Sequence, residues 1–454
     1  MTLRAAIEAR ALAWLLAALS LMLLLGSVNP AAAQGQSAGS GGEGATSMDQ
    51  IDMANPAPGQ ALGSPPAAPA ERSPFVDDSR ISAQLRTFYF NRENFNDTRN
   101  EAWAIGGSVS YLSGYLADRF RVGAVVYTSQ PLYAPSDHDG TLLLKPGQEG
   151  YTVLGQLYGE YRFTDRIFAA IGRKAYETPY INTFDVRMTP KTFEGVTAYG
   201  TAGGKNGAPA WKFGGGYLSK IKELNSDEFV WMSRDAGAAV DRGVFLGGAN
   251  YAQKDFSLGA INYYSDDIIN IFYTEAKTAL SLASGGKVKL AAQFTDQRST
   301  GDNLLMGQSF ATRQWGIKGE FGLSAAQLTV GFTDTASGAD IQSPWSGHPG
   351  YTMAQVQNFN RAGESALILK VAYDLARQWR EGASAYALLV HGSGRNAPAY
   401  NEDEFDLNLQ WAYKTGNLRG LSFRLRYAVV MQRGGGDPSL NDFRFIVNYD
   451  FPRP

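Results

Sequence analysis

Cysteine is absent from this 454-residue sequence, and histidine occurs only three times. No stretch after residue 26 is apolar for long enough to cross a bilayer as a helix, which takes about 20 residues. The first absence excludes a disulfide framework and thiolate chemistry, and it suits a chain that crosses an oxidising compartment unfolded. His138, His348 and His391 are scattered, without the His-x-x-x-His or Glu-linked spacing of a zinc site, and are expected to be ordinary surface residues. Charge of one sign is lacking too, since the net charge of -2 argues against a nucleic-acid partner. No Ser, His and Asp set and no paired acids can be assembled on one rim, so neither an enzymatic site nor a cofactor is expected. Gly203-Gly204-Lys205 reads as a turn, because the flanking pattern of a phosphate loop is missing. Asp334 and Asp340 could contribute to a calcium site in a loop, but EF-hand spacing is missing and no metal site is assigned.

What the chain does contain is alternation. In Phe443-Arg444-Phe445-Ile446-Val447-Asn448-Tyr449-Asp450-Phe451, aromatic and aliphatic residues take every second position and mostly polar ones fill the gaps. Successive strand side chains point to opposite faces, so one face of this segment is greasy and the other mostly wet. The same dyad sets Leu421, Phe423, Leu425, Tyr427 and Val429 against Ser422, Arg424 and Arg426, and Phe405, Leu407, Leu409 and Trp411 against Asp406, Asn408 and Gln410. The abundant glycine, tyrosine and phenylalanine fit tight barrel packing and interfacial girdles. With no helix available to span lipid, the mature chain can cross a membrane only as a closed β-barrel.

At the N-terminus, Arg4 and Arg10 precede an apolar run from Ala11 to Leu25, followed by Gly26, Pro30 and Ala31-Ala32-Ala33. This reads as a signal peptide, residues 1–33, cleaved near Ala33; the alternative is a single membrane anchor, for which the run is short. Residues 34–74 are rich in Gly, Ser, Ala, Pro and Gln and are expected to be a disordered, low-complexity periplasmic tail, because they cannot bury enough apolar surface to offset chain entropy. Residues 75–454 form the expected barrel domain.

Beyond Phe75 the alternating segments predict strands at about 79–92, 101–114, 119–128, 151–163, 166–174, 194–201, 209–220, 239–251 and 255–265. The series continues at about 268–282, 287–297, 310–323, 326–334, 366–376, 382–391, 402–413, 419–430 and 441–451. The fold class is therefore all-β, a transmembrane antiparallel β-barrel of eighteen strands, an even number that returns both termini to the periplasmic side. Connections alternate accordingly. Short ones such as Thr164-Asp165, Gln253-Lys254 and Ser324-Ala325 fall on one side, and the long segments 129–150, 175–193, 221–238, 298–309 and 335–365 on the other. A sandwich or propeller has no reason to alternate in this way.

Four stretches resemble the OprD-type substrate-specific porins of Gram-negative bacteria. They are Leu85-Arg86-Thr87-Phe88-Tyr89-Phe90-Asn91-Arg92; Asp185-Val186-Arg187-Met188-Thr189-Pro190-Lys191-Thr192-Phe193-Glu194-Gly195; Pro349-Gly350-Tyr351-Thr352 with Asn358-Phe359-Asn360-Arg361-Ala362-Gly363-Glu364; and Leu440-Asn441-Asp442-Phe443-Arg444 with Val447-Asn448-Tyr449. The resemblance implies an outer-membrane location, inward-folded loops that narrow the pore, and a row of basic side chains that passes small carboxylate-bearing solutes. It makes the long loop 175–193 the constriction loop, in which Arg187 could project into the pore; the alternative is that Asp185 and Arg187 bond the loop to the barrel wall. The implied partners are membrane lipids and lipopolysaccharide, small anionic solutes and the outer-membrane assembly machinery, for a monomer or loose trimer. Two departures are a longer low-complexity tail and Pro452-Arg453-Pro454 after the terminal aromatic Phe451.

Alternation by itself turns Arg86, Arg92, Arg162, Lys212, Lys289, Lys318, Lys370, Arg424, Arg426 and Arg444 toward the lumen, against fewer acids: Glu160, Glu320, Asp374, Asp406 and Asp450. Arg86, Arg92, Arg424, Arg426, Arg444, Lys289 and Lys370 are the candidates for a basic ladder that concentrates anions and hands a carboxylate from one cation to the next. The bland alternative is that these charges pair with neighbouring acids and fill a wet interior. In the segment 335–365, Trp345, Tyr351 and Arg361 are candidates for the eyelet. A passive porin for small carboxylates is the leading expectation; a neutral-solute or sugar porin, an outer-membrane hydrolase and a mainly structural barrel are the alternatives.

Overall fold

A computed structural model describes residues 74–451 apart from 205–207, 283–285, 397–399 and 435. The leader, the tail up to residue 73, Lys205 and Pro452-Arg453-Pro454 lie outside the described residues. A short helix α1 (Pro74–Asp77) leads into β1 (Arg80–Glu93), β2 (Arg99–Leu112), β3 (Phe120–Tyr133), β4 (Tyr151–Thr164), β5 (Ile167–Lys174), β6 (Thr192–Gly203) and β7 (Ala210–Lys222). The two-residue β8 (Val230–Trp231) and the helix α2 (Met232–Asp235) sit in the next loop. The chain then continues through β9 (Val244–Gln253), β10 (Phe256–Ser265), β11 (Ile269–Ser281), β12 (Lys287–Arg298), β13 (Ala311–Leu323) and β14 (Ala326–Thr335). It ends with β15 (Glu364–Asp374), β16 (Ala383–Gly394), β17 (Asn401–Ala412), β18 (Leu421–Arg433) and β19 (Ser439–Asp450).

Nineteen strands less β8 leave the eighteen that the alternation requires. All neighbours are antiparallel. β1 pairs with β19 from Gln84↔Asp450 to Glu93↔Asn441, which closes the barrel, and β7 pairs directly with β9, so β8 is an appendage. Closure leaves no sheet edge to expose unpaired backbone groups to lipid.

The faces follow the dyad. On β18, Leu425 and Tyr427 are each 38% exposed, whereas Arg426 and Ala428 are 1% and 0% exposed. The outer face carries aromatic pairs, such as stacked Trp411 and Phe423 at 4.6 Å and Trp315 against Phe332 at 5.4 Å, as interfacial girdles do. At Gly107, φ is 140° and a Cβ would lie 1.9 Å from the Gln84 carbonyl oxygen, so only glycine permits this close strand approach.

Two boundaries depart most from expectation: β3 runs on to Tyr133 rather than ending near 128, and β9 starts at Val244 rather than near 239. The preceding residues are diverted to α2. The Ser233 hydroxyl donates to the Val240 carbonyl at 2.5 Å and accepts from the Arg242 N–H at 2.8 Å, using groups that a strand would have paired.

Two long loops turn inward. Tyr176, Tyr180 and Ile181 of the loop 175–191, and Ile341 and Trp345 of the loop 336–363, join one apolar cluster with Leu218, Ile261, Tyr263, Ile271 and Tyr273 on the inner wall. Trp345 Nε1 donates to the Met232 carbonyl at 2.9 Å, and the Tyr180 hydroxyl to Thr295 Oγ1 at 3.0 Å. His348 corrects the expectation of a surface histidine. It is 1% exposed against Gln314 Oε1, and burial holds its pKa down at about 3, which keeps the ring neutral.

Candidate solute path through the barrel

The cationic wall is built where β17, β18, β19 and β1 run side by side. Arg426 stands opposite Arg444 across the β18–β19 ladder, and Arg444 opposite Phe90 across the closing β19–β1 ladder. Two like charges placed directly across a ladder repel unless acids or polar groups answer them. Here Arg444 Nε donates to Asp442 Oδ1 at 2.7 Å, and Arg92 reaches Asp442 Oδ2 at 2.6 Å. Arg424 Nε donates to Asn408 Oδ1 at 2.7 Å, and Arg426 Nη2 reaches the Tyr386 hydroxyl at 3.3 Å. The row continues around the wall, because the Lys370 ammonium sits 4.2 Å from the centre of the same Tyr386 ring. Farther along, Lys318 pairs with Glu320 at 3.0 Å, with Lys289 4.0 Å from the same carboxyl group. Arg424, Arg426, Arg444, Arg92, Lys370 and Lys289 thus share one inner wall.

Arg86 is inward as alternation indicates, and its fork is taken by the loop 175–191. It donates to both Asp185 oxygens, at 2.7 and 3.0 Å, and to the Arg187 carbonyl at 2.6 Å. Such two-point guanidinium–carboxylate contact fixes orientation as well as distance. Arg187 in turn donates from Nε to the Thr141 carbonyl at 2.9 Å, and its guanidinium lies 5.0 Å from the Phe90 ring centre. Asp185 and Arg187 therefore place this loop against the β1 wall. Arg162 sits low in the barrel, donating to the Asp118 carbonyl at 2.8 Å in the turn between β2 and β3.

Alternation gave no role to several inward acids. The carboxylate of Glu404 accepts the N–H groups of Val356 and Gln357, both at 2.7 Å, while Asp406 accepts the Gln355 N–H at 3.0 Å. The Gln355 side-chain amide donates to Asp442 Oδ1 at 2.7 Å, and the Gln355 backbone carbonyl accepts from Arg444 Nη2 at 3.1 Å. The turn 355–357 is thus clamped onto the charged wall, and the excess of lumenal cations is narrower than the sequence suggested. A period-2 reading of β17 and β19 does turn Glu404 and Asp442 inward, but nothing local announces partners some fifty to ninety residues away.

A second buried group gathers around Glu160 of β4, drawing on β3, β5, β6 and the turn between β2 and β3. Glu160 accepts from the Tyr115 hydroxyl at 3.0 Å and from Tyr199, lies 2.6 Å from Arg121, and pairs with Lys174. Of the expected eyelet residues, Tyr351 donates to Glu275 at 2.7 Å, Trp345 belongs to the apolar plug, and Arg361 pairs with Glu364 beside the Tyr400 ring. Among the described residues no group of three or more potential ligands could hold a metal. Asp334 takes Arg395 at 2.8 Å and Ser365 at 2.6 Å, and Asp340 takes the Ala362 N–H at 2.6 Å, so both carboxylates serve protein donors.

Comparison with known proteins places this geometry. Residues 73–453 match the family described as outer membrane porin, OprD family. Porin D of Pseudomonas aeruginosa is 23% identical over 432 residues, covering 84% of this chain and 92% of that protein. The crystal structure of OccK9 (OpdG) from the same organism superposes with a TM-score of 0.74 at 22% identity, covering 83% of this chain and 99% of its own. OccAB3 of Acinetobacter baumannii gives 0.74 at 18% identity, covering 83% and 100%. OpdK of Pseudomonas aeruginosa, in a crystal structure with vanillate, gives 0.72 at 20% identity, covering 83% and 99%.

Proposed function

This chain belongs to the OprD family of outer membrane porins, and from that premise we propose that it passes small carboxylate-bearing solutes, amino acids or organic acids, by passive diffusion along its basic wall. The observation that carries the reading is the pair of inward cations Lys370, at the Tyr386 ring, and Arg424, at Asn408, backed by the buried Arg426 and Arg444 on the same wall. A strip of cations in a narrow channel with low-dielectric walls raises the local anion concentration, and several weak contacts in series allow entry and release. Arginine suits this task because its planar fork meets a carboxylate at two points. Vanillate, an aromatic carboxylate, accompanies one relative of the same fold. The leader is proposed to be removed near Ala33, leaving residues 34–74 as a periplasmic tail.

The test is uptake of neutral, cationic and anionic solutes into proteoliposomes, with reversal potentials measured in planar bilayers. Carboxylates should enter fastest, and anion preference should fade as salt shortens the Debye length below about 10 Å. Equal entry of neutral sugars and carboxylates, indifferent to salt, would instead establish a neutral-solute porin.

A further inference from the structure

A separate feature lies on the outside of the barrel, where the lumen cannot reach it. Phe294 and Trp315 face each other across the β12–β13 ladder, and Phe332 packs on Trp315 at 5.4 Å. Aromatic rings on the lipid face mark the headgroup level. Two residues farther toward the extracellular ends, Asp296 and Arg313 form the next outward pair, with Arg298 beyond. Two strand residues advance about 6–7 Å, so these three side chains stand at the depth of the outer-leaflet headgroups. Arg298 approaches Asp296 from Nε at 2.7 Å and from Nη2 at 3.3 Å, and Arg313 reaches the same carboxylate from Nε at 2.8 Å. Two guanidinium groups thus converge on one carboxylate. Elsewhere on the rim, Arg395 answers Asp334 one to one. The Arg298 and Arg313 side chains are 59% and 62% exposed, with part of each N–H fork turned outward. On the adjoining strand, Asn270 stands opposite Arg298 and accepts from Asn262 at 2.8 Å, extending a polar patch above the rings.

We propose that Arg298 and Arg313, held by Asp296, form a docking site for a phosphorylated lipid headgroup of the outer leaflet. Asp296 fixes both forks and cancels one charge, so the pair is pre-positioned without repelling itself. The remaining donors match phosphate oxygens, which guanidinium groups bind bidentately. The aromatic row beneath covers the first part of the acyl chains.

The test uses the refolded full chain in detergent, with divalent ions chelated so that only direct contact counts. Native mass spectrometry reports retention of a bis-phosphorylated glucosamine lipid, of its phosphate-free analogue, and of inorganic phosphate. The wild-type chain should retain the phosphorylated lipid roughly tenfold more tightly than the R298Q/R313Q variant. The R395Q variant should behave as wild type. Heat-dependent gel mobility reports whether each variant is folded, and the two-lipid comparison on the wild-type chain needs no variant. Equal retention of both lipids, or undiminished retention by folded R298Q/R313Q, would overturn the proposal. Displacement of the lipid by inorganic phosphate at matched concentration would assign the pair to a free anion and overturn the lipid assignment.

Discussion

Toward their extracellular ends β9–β11 turn Leu246, Ile261, Tyr263, Ile271 and Tyr273 inward, with Asn250 and Glu275 below them, whereas inward positions on β17–β19 carry Glu404, Asp406, Asn408, Arg424, Arg426, Asp442 and Arg444. Both walls obey the same dyad and face the same lumen. An apolar wall facing water costs about 25 cal/mol for each Å² left uncovered, so the β9–β11 wall draws Tyr176, Tyr180, Ile181 and Trp345 from two loops onto itself. The charged wall can stay wet where it is not clamped. One side of the barrel is therefore plug and the other carries the proposed path, and the comparison separates residues that hold the loops from residues proposed to meet solute.

Removing the centre of the plug should produce the largest effect. Trp345 is fully buried and its indole N–H reaches Met232 of α2. Trp345→Ala deletes that contact and leaves a cavity, at an expected cost of about 4 kcal/mol. Denaturant titration should show the loss, and single-channel recordings should show larger, noisier conductance as the loop 336–363 lifts. Unchanged conductance in a destabilised barrel would mean that the plug does not limit the path.

The clamped part of the charged wall comes next. Arg444 is 1% exposed and shares Asp442 with Arg92. Arg444→Gln leaves the buried carboxylate with one guanidinium, at an expected cost of about 3 kcal/mol, and the R444Q/D442N double variant should recover most of it. Equal destabilisation by the single and double variants would show that the pair is not coupled. Arg444 thus serves chiefly to hold the turn at Gln355, which separates it from its more open neighbours.

That division was only half visible in the sequence. Strand positions, closure and facing could be read because period 2 and alternating loop lengths are properties of local sequence, as Leu425 and Arg426 show. The plug could be read only in outline: Trp345 was expected near the eyelet, but His348 and Tyr180 lie in loops without periodicity and are buried by partners on distant strands. The clamp was hidden for the same reason: Asp406 reads as one more wet lumenal acid until Gln355 is brought to it. Resemblance to a family pointed to inward loops and to Asp185 and Arg187, but not to Arg86 as the group that grips them.

A third substitution asks whether the less clamped cations meet solute. Arg424 is half-buried with its Nε on Asn408, and Lys370 rests on the Tyr386 ring. The K370Q/R424Q variant removes two positive charges while leaving Glu404, Asp406 and Asp442 their loop partners. Carboxylate uptake at low salt should fall about tenfold, with a shift of the reversal potential toward cations, and the difference should shrink at high salt. Stability should change little. Full uptake with wild-type selectivity would place the solute path elsewhere in the lumen.

The smallest expected effect tests the plug from its outer edge and depends on pH. Asp235 closes α2 beside Glu223, which Lys191 holds by an ion pair, while the Lys222 ammonium donates to the Glu223 carbonyl at 2.6 Å. Burial and then the Glu223 carboxylate push the Asp235 carboxyl up to about 8, partly offset by Lys191. A carboxyl whose folded pKa is raised contributes stability that is complete below its ordinary value near 3.9 and is lost as pH climbs through the folded value. Docking of α2, and with it the Met232 carbonyl that receives Trp345, should therefore weaken between pH 6 and 8. The expected loss is about 1 kcal/mol, less than the limiting slope because Asp235 keeps some solvent contact. Asp235→Asn has no proton to lose, so its α2 amides should keep constant protection. The ratio of wild-type to variant hydrogen-exchange protection at each pH cancels the intrinsic rate change. A ratio that falls as pH rises supports the assignment; a flat ratio, or a fall in both chains alike, would show that another group controls the edge of the plug.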